Sequence, residues 1–323
     1  MNTTRLSANP YLHFLLFGLV AGLIAQVFSL PLSFTSSYVV EHRYGLSNQS
    51  IMAWVGERLK GLLVGGVIGL PMVLVFYACL RIFGAGWWLP VGIVVFLFSV
   101  LLGRLAPILI FPLFYKFEPL GDDHPLGARI VELCGSAGMA VTGVYRFNLS
   151  KTTKKANAAF TGLGRAKRVL LADTLLDQFP DDEILAVVAH ELGHFRLKHI
   201  WKGLAFGMIL SFLGLFLVAR LHASLSGGQV AALVTLPLLA LLLSVYSFIT
   251  GPLSNAFSRR HEYEADSYSS AMMNGSQTLA AGLERLAELN LADRDPHPLV
   301  EFLFHSHPSI KNRLAALEGL DHA

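Results

Sequence analysis

Charge is scarce in this chain. Only 15% of its 323 residues are Asp, Glu, Lys or Arg, against roughly 25% in an ordinary soluble domain, so a fully solvated surface cannot be assembled from them. The 25 basic and 22 acidic residues leave a formal net charge of +3. That excess is small and scattered, and without a basic stripe interleaved with aromatics it excludes a nucleic-acid partner. Cysteine is scarcer still. Cys79 lies in an apolar run and Cys134 in a polar block, which excludes a disulfide framework and a CxxC metal pair and leaves two buried, unpaired thiols. Low-complexity stretches and internal repeats are missing as well. Three N-x-S sequons, at Asn48, Asn148 and Asn274, are short patterns that the topology argued below keeps on the cytoplasmic side.

What the chain has in abundance is hydrocarbon, at 54% hydrophobic residues. Five windows, 11–33, 61–83, 88–114, 201–221 and 229–253, each hold about the 20 apolar residues a helix needs to cross a bilayer. The first lacks a charged n-region and no A-x-A site follows it, so it counts as a span rather than a signal peptide. The loop after it carries Arg43, Arg58 and Lys60 beside Glu41 and Glu57, whereas the links at 84–87 and 222–228 contain no Lys or Arg. The positive-inside rule then puts the N-terminus outside, and the first loop, the polar block and the tail in the cytoplasm. Trp87 and Trp88 fit an interfacial belt, and Arg104, inside the third window, either lines a wet internal space or snorkels to a boundary.

The expected fold is mainly α: a polytopic integral membrane protein with about five transmembrane helices and a small cytoplasmic α+β domain. Its divisions are a membrane region of three spans (1–115), a cytoplasmic segment (116–200), two further spans (201–253) and a C-terminal cytoplasmic helical region (254–323). Within the polar block, 144–149, 156–164 and 167–172 read as short strands. From Asp181 the pattern turns helical, with Ile184, Leu185, Val188, Leu192 and Phe195 at helical spacing. That helix is expected to run on into the fourth span.

On it lies "VVAHELGHFRLKH" (187–199). His190 and His194, at i and i+4, share a face and can direct both imidazoles to one zinc ion, with Glu191 on the neighbouring flank as general base toward the attacking water. Two ligands are too few. His199 is nine residues from His190, on the opposite face of the helix, and reads as interfacial or structural; Leu197 and Ile200 exclude the longer three-histidine motif. A better source is "SRRHEYEADSYS" (258–269). Glu262 and Asp266 are again i and i+4, so one carboxylate can ligate while the other accepts a hydrogen bond from a ligand imidazole. Alone, this run would read as a solvated acidic face balancing Arg259 and Arg260. With HELGH upstream it completes an open, catalytic zinc site of two His and one Glu.

At this point the chain resembles the type I CAAX prenyl proteases, integral-membrane zinc endopeptidases of the gluzincin kind. The likeness spans nearly the whole sequence: "EHRYGLSNQS" (41–50), "PLFYKFEPL" (112–120), "NAAFTG" (157–162), "VLLADTLL" (169–176), HELGH, "SRRHEYEAD" and "HSHPSIKNRL" (305–314). The resemblance implies His190, His194 and Glu262 as ligands of one zinc ion, Glu191 as catalytic base and Asp266 as the group orienting a ligand histidine. It also implies that Asn157 belongs to an edge strand on which substrate backbone docks. His307 and Arg313 would be donors to the tetrahedral intermediate or the substrate carbonyl. From the residues alone, His305 and His307 are a turn before Pro308 and Arg313 a surface charge. Eukaryotic members have seven spans, and this chain starts at what corresponds to their third, without the long insertion many relatives carry before HELGH.

The function expected is hydrolysis of membrane-associated or lipid-anchored, CAAX-type polypeptides, with the site on the cytoplasmic side of a bacterial plasma membrane or an endoplasmic reticulum. The partners are the polypeptide substrate and the bilayer. A quality-control protease of the HtpX kind is the alternative. A non-catalytic scaffold stapled by zinc ranks lower, because a staple has no use for Glu191.

Overall fold

The computed structural model of the protein describes residues 9–121, 124–163 and 166–321. Backbone N–H and C=O groups in an apolar run have only each other to bond with in lipid, so such runs become helices. All five expected windows do, the fifth (229–253) as an α-helix only from Leu236. Helix α1 is Pro10–Phe34, opened by Asn9, whose Oδ1 accepts from Tyr11 N at 3.0 Å, and continued through a π-helical turn as far as Arg43. Helix α2 is Ile51–Phe83, capped by Ser50 Oγ on Ala53 N. It is ten residues longer at its start than its apolar window, because Glu57, Arg58 and Lys60 lower hydropathy without breaking the helix. Helix α3, Trp88–Leu105, gives way to a π-helical stretch at Ala106–Ile110, where Pro107 supplies no N–H. Phe28 and Leu32 on α1 are 69% and 71% exposed, as lipid-facing side chains must be.

The polar segment forms four strands and a set of helices. Strands β1 (Phe117–Pro119), β2 (Val141–Phe147), β3 (Ala158–Leu163) and β4 (Ala166–Ala172) make one sheet in the order β1-β2-β4-β3. Only β2 and β4 run parallel; β1 and β3 close the two edges antiparallel. Three strands overlap expectation, with β2 at 141–147 rather than 144–149 and β3 starting two residues later; Gly164, the expected end of that strand, lies outside the described residues. The three-residue β1 gave no signal of its own. Helices α4 (Pro125–Ser136), α5 (Asp181–Arg196), α6 (His199–Leu225), α7 (Leu236–Met272), α8 (Gln277–Leu289), α9 (Pro298–Phe304) and α10 (Ile310–Asp321), with a short helix at Asp173–Gln178 between β4 and α5, follow among the described residues.

Two boundaries differ from expectation in ways that matter. The HELGH helix does not continue into the fourth span. It ends at Arg196, Leu197 N bonds back to Gly193 O at 2.9 Å, and Lys198 takes φ +58 before α6 begins at His199. One left-handed residue re-aims the chain. Conversely, α7 runs 19 residues past the apolar window, about five further turns, so the segment 258–269 rides on the same helix as the fifth span.

The chain divides into two compact units, one of Met1–Gly45, Gln49–Val100 and Met208–Ile249, the other of Leu46–Asn48, Leu101–Gly207 and Thr250–Ala323. In the first, Phe14 stacks on Tyr77 at 4.1 Å, and Trp87 and Leu80 are wholly buried. Gly214 leaves room for Tyr246, whose hydroxyl donates to Leu210 O at 2.7 Å; a Cβ on Gly214 would fall 2.2 Å from that ring. In the second, α5 is central. Ile184, Leu185, Val188 and Leu192 pack with Leu126, Ile130, Val169 and Leu171 of α4 and the sheet, while Ala186 packs with Leu279, Leu283 and Leu317 of α8 and α10. Phe195, expected in the apolar repeat, is instead exposed, with Lys167 Nζ 2.9 Å from its ring centroid.

Candidate metal centre

Helix α5 brings three acidic residues to its first turn, Asp181, Asp182 and Glu183, which suit the positive end of its dipole. Glu183 is held by Arg285 at 2.7 Å. At the other end α5 meets α7 closely. A Cβ built on Gly193 would lie 3.1 Å from Ala265 Cα and 3.2 Å from Tyr268 Cβ, and Ser269 Oγ donates to Ala186 O at 2.8 Å. The glycine of HELGH thus lets α7 approach until its carboxylates reach the histidines.

Two imidazole nitrogens and one carboxylate converge there. His190 Nε2 lies 3.1 Å from His194 Nε2 and 3.4 Å from Glu262 Oε2, and His194 Nε2 lies 3.4 Å from Glu262 Oε1. Ligands bound tetrahedrally at about 2.0–2.1 Å sit about 3.3–3.4 Å apart, so the nitrogens and the carboxylate stand at a spacing that a zinc-sized ion between them could bridge. The donor set suits it too. His190 Nδ1 is 2.8 Å from Asp266 Oδ1, and Asp266 is gripped by Arg313 through Nε at 2.8 Å and Nη2 at 2.5 Å. An arginine only donates, so Asp266 accepts, His190 Nδ1 carries the proton, and its Nε2 lone pair faces the other two donors.

Electrostatics point the same way. Burial disfavours a second proton on His190, but hydrogen bonds with Asp266 and Glu262 outweigh it and raise its pKa to about 9. The pull those carboxylates exert on a proton they also exert on a metal cation. Burial pushes the Glu191 carboxyl above its ordinary range, with His190 and His194 pulling it back.

Of the remaining expected residues, His307 comes closest, its Nε2 3.5 Å from Glu262 Oε1 although its side chain is 64% exposed; Ser306 Oγ is 3.0 Å from its Nδ1. Arg313 is not a surface charge. It is buried beside the triad, with Nη1 4.0 Å from Glu262 Oε2 and its other two nitrogens on Asp266. Asn157 stands exposed at the start of edge strand β3, where its carbonyl accepts from Ala172 N at 3.0 Å; among the described residues no hydrogen bond or ion pair joins it to the triad. His199 and Glu264 were missed. The turn at Lys198 carries His199 to His194, Nδ1 to Nδ1 at 3.0 Å, and Glu264 Oε2 lies 3.1 Å from His199 Nε2. The signal was the middle acid of "HEYEAD", masked by the expectation of one continuous helix.

Compared with known proteins, residues 122–321 match peptidase family M48, and residues 2–116 match the family described as CAAX prenyl protease N-terminal, five membrane helices. A Bacillus subtilis protein described as uncharacterized metalloprotease YhfN is 34% identical over 95% of this chain and 74% of its own length. CAAX prenyl protease 1 of Saccharomyces cerevisiae is 30% identical, over 93% of this chain and 71% of that protein. The crystal structure of S. mikatae Ste24p superposes with a TM-score of 0.88 at 27% identity, covering 96% of this chain and 77% of that one.

Proposed function

The chain belongs to peptidase family M48 and is a multi-pass membrane metalloprotease, and from that premise we propose that it holds one zinc ion between His190, His194 and Glu262. Its substrates are membrane-associated or lipid-anchored polypeptides, CAAX-type tails among them, cleaved on the cytoplasmic side. The observation carrying this reading is the convergence of His190 Nε2 and His194 Nε2, 3.1 Å apart, on the Glu262 carboxylate, one oxygen 3.4 Å from each nitrogen. Two of its members come from one helix and the third from a helix continuous with a span. Likeness to CAAX-type relatives along almost the whole chain supports lipid-anchored substrates over the quality-control alternative. Positive residues in the first loop support the cytoplasmic orientation. A bacterial plasma membrane or an endoplasmic reticulum would satisfy it.

Bound zinc supplies Lewis acidity, acidifying water and polarising the scissile carbonyl. The chain's own groups do the rest. Glu191, one residue from a ligand and partly withdrawn from solvent, takes the proton from the attacking water and passes it to the departing amine nitrogen. His307 donates to the oxygen on which charge develops. Arg313 does so through Nη1, while its other nitrogens hold Asp266 against His190. The free edge of β3, led by Asn157, takes the substrate as an added strand, which registers the scissile bond without reading side chains.

The test uses the full-length protein in detergent with zinc and a prenylated peptide reporter. Glu191→Gln retains one zinc per chain and loses about 10²- to 10⁴-fold in turnover, whereas His194→Ala loses both. Wild-type turnover by the Gln variant sinks the assignment of the base. A misfolded membrane protein cleaved in preference to the prenylated reporter sinks the substrate class.

A further inference from the structure

His194 has an orienting partner of its own, reached through a second histidine. Glu264 accepts from three side chains: Arg260 Nε at 3.0 Å, Lys202 Nζ at 3.3 Å and His199 Nε2 at 3.1 Å. Two of these are cations that hold the carboxylate ionised, and an ionised carboxylate only accepts. His199 must therefore spend its proton on Nε2, which leaves Nδ1 as an acceptor. That acceptor is 3.0 Å from His194 Nδ1. His194 in turn keeps its proton on Nδ1 and turns a bare Nε2 toward His190 and Glu262.

The ring of His199 is fixed for this purpose. It is buried, stacked on His261 at 4.1 Å and 10° between planes, and His261 is itself wedged edge-on against Phe257. His199, His261 and Glu264 also lie close enough to suggest a second cation site. With both nitrogens of His199 committed to hydrogen bonds and the two rings stacked in parallel, His199 has no lone pair left for one.

We infer that His199 and Glu264 are positioning residues that hold His194 in its metal-binding tautomer, the counterpart of Arg313 and Asp266 behind His190. Each ligand imidazole is thus backed by a carboxylate pinned by cations, directly for His190 and through one neutral imidazole for His194. The turn at Lys198 is what brings the relay into reach. This inference rests on the zinc reading above.

The experiment is competitive zinc titration of the full-length protein against a chelator in detergent, with the melting temperature of the metal-free protein as a control for folding. His199→Phe keeps the ring volume and the stack but accepts no hydrogen bond. His199→Asn puts an amide oxygen near the place of Nδ1. The Phe variant is expected to bind zinc about 10- to 100-fold more weakly, with kcat lowered at subsaturating zinc and KM unchanged; the Asn variant recovers most of the affinity. An unaltered zinc affinity in the Phe variant overturns the inference. So does an Asn variant as weak as Phe, since packing rather than the hydrogen bond would then be responsible. A wild-type protein that takes up no zinc overturns both this inference and the reading beneath it.

Discussion

Gly193 and Ala265 touch backbone to backbone, with only 3.1 Å between Ala265 Cα and the place where a Cβ on Gly193 would stand. Both neighbours on α7 are rigid: one is main chain, the other the Cβ of Tyr268 at 3.2 Å. Neither can rotate away, so a methyl group there must push α7 outward. Glu262 and Asp266 flank Ala265 on the same helix and would move with it.

Gly193→Ala should therefore cost more in metal binding than in folding. Overpacking of this kind costs about 1–3 kcal/mol, and the zinc triangle tolerates only tenths of an ångström. We expect a protein that still inserts and melts cooperatively yet holds zinc at least about tenfold less tightly, read by the same chelator competition. A variant with unchanged zinc affinity would show that α7 is not positioned by this contact.

Arg313 allows a test of geometry against charge. Its Nε and Nη2 engage the two oxygens of Asp266 as a fork, an arrangement lysine cannot copy. Arg313→Lys keeps the positive charge and is expected to weaken zinc binding, because Asp266 then swings and His190 loses its orienting acceptor. If only kcat falls while zinc affinity holds, Arg313 works chiefly on the substrate oxygen.

The membrane spans, three of the four strands and the pairing of His190 with His194 were legible in the sequence because each has a short-range signature: an unbroken apolar run, an alternating run bounded by glycine, a spacing of four on a helix. His199 was not. Its placement depends on one residue, Lys198, adopting φ +58, and nothing in "FRLKHI" forces a non-glycine residue into that region. Arg313 reads from its neighbours as a surface charge, since its partner Asp266 is 47 positions away and burial of a charge leaves no periodic trace. β1 escaped notice because its three residues, "FEP", are too few to show alternation.

Cys134 gives a pH dependence whose sign can be worked out. It is fully buried, and burial raises its thiol pKa from 9.0 to about 11. Between those values the unfolded chain has released a proton that the folded one retains, so folding stability falls as pH rises, by at most about 1.4 kcal/mol per pH unit. Below pH 9 the group contributes no slope. Cys134→Ala removes this contribution, so the difference in urea midpoint between the parent and the variant should shrink from pH 9 to pH 11. A constant difference across that window would mean that the thiol is not desolvated.

Strand β3 allows the substrate-docking proposal to be tested one amide at a time. Asn157 O accepts from Ala172 N, so Asn157 and Ala172 form a hydrogen-bonded pair in the antiparallel ladder, and the register continues Ala158 against Leu171 and Ala159 against Leu170. In such a ladder alternate residues turn their N–H and C=O inward. Asn157, Ala159 and Thr161 therefore face β4, and Ala158, Phe160 and Gly162 present theirs to the open edge. Proline is tolerated in an edge strand where its missing N–H points away from the sheet. Ala158→Pro should leave the ladder and the zinc site intact yet raise KM for a peptide reporter several-fold, since a strand added by main-chain hydrogen bonds loses one donor. Ala159→Pro, one residue on, breaks a bond to β4 and should lower the melting temperature instead. Equal effects of the two on KM and on stability would mean that substrate does not join the sheet at this edge.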